Sequence, residues 1–229
     1  MADTDRPVAV ALSEITTGLY MITAVCGLVD AVCFLALGGV FAEMMTGNLL
    51  QLSLSLGSGW RMNELVRYGT AIAAFVAGAL VGGRLLRGPQ TLRDRRIGFA
   101  VEGVVLLVAT TTAWLTVPDG RNEAGHALVG LLAFAMGIQN AMVRVHGVPD
   151  LATNVLTVTF TGLIADSTPA GGDNTNWRRR TLSIALFMTS AALGAALLPF
   201  GIGWPLALAT AIFGLAMRPL LFGRHPLGK

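Results

Sequence analysis

The chain has 229 residues, of which 54% are hydrophobic and 13% charged, and its mean hydropathy is +0.67. So apolar a composition excludes a disordered chain, a coiled coil and most soluble folds, and it indicates an integral membrane protein. At about 20 apolar residues per span the length admits at most about eight spans and leaves no room for a separate soluble domain.

The first segment, Met1–Gly18, carries acids where a secretory leader carries bases, so it is expected to be retained. Six stretches are then long and apolar enough to span: Ile15–Leu37, Tyr68–Leu86, Ile97–Val117, His126–Val143, Thr181–Pro199 and Trp204–Leu221. Cys26 and Cys33 lie on one face of the first and read as small buried hydrophobes. Trp60, Trp114, Trp177 and Trp204 fall near span ends, as interfacial anchors do.

Two further segments, Val40–Leu56 and Leu151–Ala165, are short for a span and polar through their middle. Glu43, Thr46, Asn48 and Gln51 interrupt one; Thr153, Asn154, Thr157, Thr159 and Thr161 interrupt the other. Short polar helices at membrane depth are tolerated where they line a cavity or lie buried in protein.

The halves are alike. Gly27, Asp30 and Ala31 match Gly137, Asn140 and Ala141. After a one-residue shift Thr46 meets Thr157, and Arg67, Thr70, Ala74, Gly83 and Leu86 meet Arg178, Thr181, Ala185, Gly194 and Leu197. If both short segments crossed, the 16 basic residues would divide ten against six; if both return to the face they left, thirteen lie inside and only Arg61, Arg67 and Arg121 outside. The positive-inside rule favours the second arrangement. A seven-span arrangement, with only Val40–Leu56 crossing, divides them twelve against four but breaks the repeat. The expected fold is therefore an all-α integral membrane bundle. It has six full transmembrane helices, two short polar (half or re-entrant) helices, and two inverted repeats, residues 1–118 and 119–229.

The run GLVDAVCFLALGGVFAEMMTGNLL has a Gly-x-x-Asp-Ala opening (Gly27, Asp30, Ala31), a Gly-Gly-x-Phe turn (Gly38, Gly39, Phe41) and a Thr-Gly-Asn triplet (Thr46, Gly47, Asn48). It resembles the signature of a bacterial membrane family known as YoaK, or DUF1275. MGIQNAMVR (Met136–Arg144) and the Thr-rich stretch after Pro149 are similar to the family's later block, except that Val158 stands where the family has glycine. The resemblance implies a multi-span protein of the bacterial cytoplasmic (inner) membrane, and no particular substrate or reaction.

Several polar residues are placed where chemistry is possible. Asp30 is ionisable and deep in the first span, so it reads either as a proton or cation site or as a buried hydrogen-bonding residue. Glu43 reads as a helix N-terminal carboxylate or as a gate. Thr46, Gly47 and Asn48, with Thr157 and Thr159, offer groups that replace a solute's hydration or that join helices. Gln139 and Asn140 are adjacent amides able to line a pathway or hold Asp30. Glu102 is expected to pair with Arg95 or Arg96 or to snorkel. The loop Asp166–Trp177 reads as a flexible connector. His126, His146 and His225 form no metal pattern, no nucleotide-binding motif is present, and the arginines after Arg84 suit anionic lipid better than nucleic acid.

The expected function is a transporter or channel-like permease for a small solute or ion, coupled to protons if Asp30 titrates. Its site would lie where the two short segments meet. The alternative is a non-transporting membrane protein, a sensor or assembly subunit, whose polar residues are all mutually satisfied. No enzyme activity, cofactor or nucleic-acid partner is expected. The bilayer is the expected partner, and the small-residue face of Gly78, Gly82 and Gly83 is expected to pack closely, either within the subunit or between subunits of a homo-oligomer.

Overall fold

A computed structural model describes residues 6–59, 61–87, 92–144 and 156–222. Trp60, His146, Thr153, Asn154 and His225 lie outside them. The helices are α1 (Arg6–Ala36), α2 (Met45–Gly57), α3 (Met62–Leu85), α4 (Leu92–Leu115), α5 (Glu123–Arg144), α6 (Leu156–Ala165), α7 (Trp177–Leu197) and α8 (Gly203–Phe222). Six of them are long and apolar enough to cross a membrane, α2 and α6 are not, and no strand occurs among the described residues.

Helix direction follows from the residues that touch. Gly18, near the start of the apolar span of α1 (Ile15–Ala36), meets Leu220 near the end of α8, and Trp204 at the start of α8 packs edge-on against Trp114 at the end of α4, ring centroids 5.1 Å apart. Hence α1 and α4 run one way and α8 the other. Gly98 in α4 meets Met142 in α5, so those two are antiparallel. Gly78 of α3 meets Phe134 and Ile138, and Gly82 meets Ile138 and Ala141; contact advances the same way along both helices, so α3 and α5 are parallel. By the same test α1 and α7 are parallel, Gly27 meeting Phe187 and Ala191 while Gly194 meets Leu28 and Ala31.

α1 and α3 therefore run in opposite directions, as do α5 and α7. Neither α2 nor α6 crosses: each chain segment returns to the face it left. The eight-span and seven-span arrangements both require otherwise. One face holds Arg61, Arg67 and Arg121; the other, here called the basic face, holds the ends of α3 and α5 and the starts of α4 and α7, with their arginines.

Packing obeys the internal symmetry. α1 on α7 corresponds to α5 on α3, α1 on α8 to α5 on α4, and α2 on α3 to α6 on α7. α1 and α5 are the most buried spans, while α3 and α7 lie outside. One feature of the repeat differs from the sequence alignment. Gly82 and Gly194 occupy equivalent places, one against the Ala141 Cβ and Ile138 backbone, the other against the Ala31 Cβ and Leu28 backbone. Gly83, the expected mate of Gly194, has open space where its Cβ would be. Neighbouring glycines align equally well as letters, and only the packing face separates them. Because Gly78 and Gly82 are occupied by α5, most of the small-residue face packs within the subunit.

Candidate functional site

α1 ends in a Schellman-type cap: Gly39 N donates to Phe34 O at 2.9 Å, with Gly38 at φ +88° and Gly39 at φ +81°. The chain then doubles back along α1. Ala42 N and Glu43 N donate to Asp30 Oδ1 at 2.8 and 3.1 Å, six residues or about 9 Å before the end of the helix. The Asn48 side chain closes the fold-back, accepting from Phe41 N at 2.9 Å and donating to Phe41 O at 2.6 Å. Gly47 lets the Phe41 ring lie against α2, since a Cβ there would come within 2.9 Å of the ring. Phe41 in turn stacks on Phe34, centroids 5.1 Å apart. Each motif of the signature thus has a place in one re-entrant turn.

That turn brings a polar cluster together in the interior. Asp30 is 3% and Glu43 4% exposed. The Glu43 carboxyl lies within electrostatic reach of Asp30 and of Cys26. From α5, Gln139 Nε2 meets Cys26 Sγ at 3.0 Å. Asp30 Oδ2 and Gln139 Oε1 are buried without a hydrogen-bond partner among the described residues. Gly27 and Gly137 occupy equivalent places, one against α7 and the other against α3, and the buried Cys26–Gln139 contact joins α1 to α5. Two carboxyl groups in a low-dielectric interior repel when both are charged. Among the described residues no group of three or more His, Cys, Asp or Glu is arranged to hold a metal ion.

The second half is built differently. Asn140, the mate of Asp30, donates from Nδ2 to Met136 O at 2.9 Å, and its Oδ1 is unpartnered. It lines a cavity of about 580 Å³ on the basic face with Arg84, Arg87 and Arg144. α6 is tied to α7 by Arg180, whose Nη1 reaches Gly162 O at 2.6 Å and Asp166 Oδ2 at 2.7 Å. The loop beyond is an ordered turn rather than the expected flexible connector: Asn174 N donates to Asp166 O at 2.9 Å, and Thr168–Ala170 form a 3₁₀ turn.

Of the residues singled out from sequence, Asp30, Glu43 and Gln139 come together, while Gly47 and Asn48 hold the turn that brings them there. Thr46 and Thr157 sit on exposed faces, and Thr159 is buried. The two short helices do not meet in a shared polar cavity. α2 lies on α3 and α6 on α7, because those neighbours, not the opposite repeat, supply their packing faces. Cys26 belongs to the cluster; its place one turn before Asp30 on the same helix face was the available signal. Glu102 neither pairs with Arg95 or Arg96 nor snorkels. It is fully buried, and its carboxyl oxygens have no hydrogen-bond partner among the described residues.

The chain resembles the UPF0700 transmembrane protein YoaK of Bacillus subtilis (strain 168), with 28% identity over 155 residues. That alignment covers 66% of this chain and 66% of the relative, so the chain spans about two thirds of the length of the curated protein it matches. No solved structure matches it. The sequence pattern described as "Protein of unknown function (DUF1275)" matches residues 18–218, nearly the whole membrane bundle and both fold-backs, and the chain is a multi-span member of that family.

Proposed function

We propose that this protein is a permease of the bacterial cytoplasmic membrane. It moves a small solute or ion in exchange or symport with protons, carries out no covalent chemistry, and acts through two inverted repeats, residues 1–118 and 119–229. The observation that carries this reading is the buried Asp30–Glu43 pair, with Asp30 Oδ2 and Gln139 Oε1 left open. A scaffold or sensor gains nothing from unsatisfied polar atoms in its interior, whereas a site that takes up and releases a proton needs them. The excess of arginine on the basic face supports placing that face in the cytoplasm.

The test is reconstitution in proteoliposomes that contain a pH-sensitive dye, challenged with a panel of small anions and cations. At least one should drive proton movement above protein-free vesicles. Asp30→Asn should abolish that movement while eluting from size exclusion as the parent does, since asparagine preserves the side chain's size and can still accept from Ala42 and Glu43. No response to any solute, or full coupling in the Asn variant, would overturn the reading.

A further inference from the structure

The three arginines that break the charge asymmetry are not scattered. Arg61, Arg67 and Arg121 line one cavity of about 810 Å³ on the face opposite the basic one, between the end of α1, the start of α3 and the α4–α5 turn. Arg67 is the unusual member. It is 9% exposed, its Nε is buried without a partner, and no described residue accepts a hydrogen bond from it. Its guanidinium lies in a cradle made by two glycines. A Cβ on Gly38 would come within 1.5 Å of Arg67 Nη1, and one on Gly120 within 2.8 Å. The Tyr68 ring centroid lies 5.6 Å from the guanidinium carbon.

The acids that share the cavity are already engaged. Glu64 accepts from Arg61 Nη1 at 2.9 Å through Oε1 and from the Ser55 hydroxyl through Oε2. Asp119 Oδ1 accepts from Arg121 N at 2.7 Å and Asn122 N at 2.9 Å, within its own turn. Arg67 lies within electrostatic reach of Glu64, but among the described residues neither Arg67 nor Arg121 has a carboxylate in ion-pair contact with its guanidinium. A buried, unpaired guanidinium is costly, and it persists where a counter-charge arrives from outside. The planar fork of arginine matches a carboxylate or a phosphate in two-point hydrogen bonds.

We propose that this cavity binds a small oxyanion, a carboxylate or phosphate group. Arg67 is its floor, and Arg121 and Arg61 stand at its rim. The site is independent of the permease reading, because binding here requires no transport. The group could belong to a free anion or to a lipid headgroup; the chemistry of recognition is the same.

The full-length protein in a non-ionic detergent is melted against sodium phosphate, sodium acetate and sodium chloride at matched ionic strength. Phosphate and acetate should raise Tm saturably and chloride should not. Arg67→Gln should remove the response. Arg121→Gln, at an exposed position that does not threaten the fold, should weaken apparent phosphate affinity roughly tenfold, the loss expected for one charge-assisted contact. It carries the test alone if Arg67→Gln does not fold. Arg93→Gln on the basic face should leave the response intact. In nanodiscs of phosphatidylcholine the phosphate response should persist; if adding phosphatidylglycerol removes it, the natural ligand is a headgroup, and if not, a free anion. An equal shift with chloride, or an unchanged phosphate response in Arg121→Gln, would overturn the proposal.

Discussion

The two short helices are held by different chemistry. Each docks on the span that follows it. In the first half the return is anchored deep in the bundle, by a carboxylate on α1 that captures two backbone N–H groups and by an asparagine that clamps Phe41. In the second half the equivalent of Asp30 is the neutral Asn140, and α6 is anchored at its far end, by Arg180 reaching back to Gly162 and Asp166. The halves therefore share a scaffold, and among the described residues the buried acid pair belongs to the first.

The comparison can be broken most decisively by topology, because the outcome is all or none. Native Cys26 and Cys33 are fully buried and should not react. Single cysteines at Arg61 and Asn122 should be labelled from outside the cell, and those at Asp94 and Asn174 only after permeabilisation. External labelling at Asn174 would mean that α6 crosses, and the inverted plan would fall.

The repeat register is tested next by bulk at glycines. Gly82→Leu and Gly194→Leu should each cost about 1–3 kcal/mol, by overpacking against the backbone of Ile138 or Leu28. Gly83→Leu should stay within about 0.5 kcal/mol, since nothing lies where its side chain begins. Melting curves in detergent that ranked Gly83→Leu with the other two would restore the alignment read from sequence.

A smaller difference should separate the two short helices. Asn48→Ala leaves Phe41 N and O unpaired beside α2 and should cost about 1–3 kcal/mol. Thr159→Ala, its counterpart in α6, should cost less, under about 1 kcal/mol, because no side-chain hydrogen bond among the described residues depends on it. Equal losses would show that α6 is anchored through its start as α2 is. A purely conformational effect is expected at Gly39. Its φ of +81° disfavours any residue with a Cβ, but only the Tyr68 hydroxyl is near, at 3.9 Å. Gly39→Ala should therefore lower stability by about 1–2 kcal/mol, the conformational cost alone.

Hydropathy, charge placement and internal similarity were enough to establish six spans, two non-crossing helices and opposed halves. These depend on transfer free energies and on positive-inside bias, which are properties of composition and order along the chain. The attention given to Asp30 followed from the rule that a carboxyl deep in a span must have a reason to be there, whereas Glu43 read from sequence as a helix N-terminal carboxylate or a gate. What the sequence did not determine was which faces meet. Whether Gly82 or Gly83 contacts the opposite helix depends on rotation about the α3 axis. The docking of α2 on α3 rather than on α6 depends on where α1 ends and how its cap redirects the chain. The gathering of Arg61, Arg67 and Arg121 around one cavity joins two separate turns and a helix end, far apart in sequence. Such contacts are decided by three-dimensional packing and not by local propensity, so only the tertiary structure brings them into view.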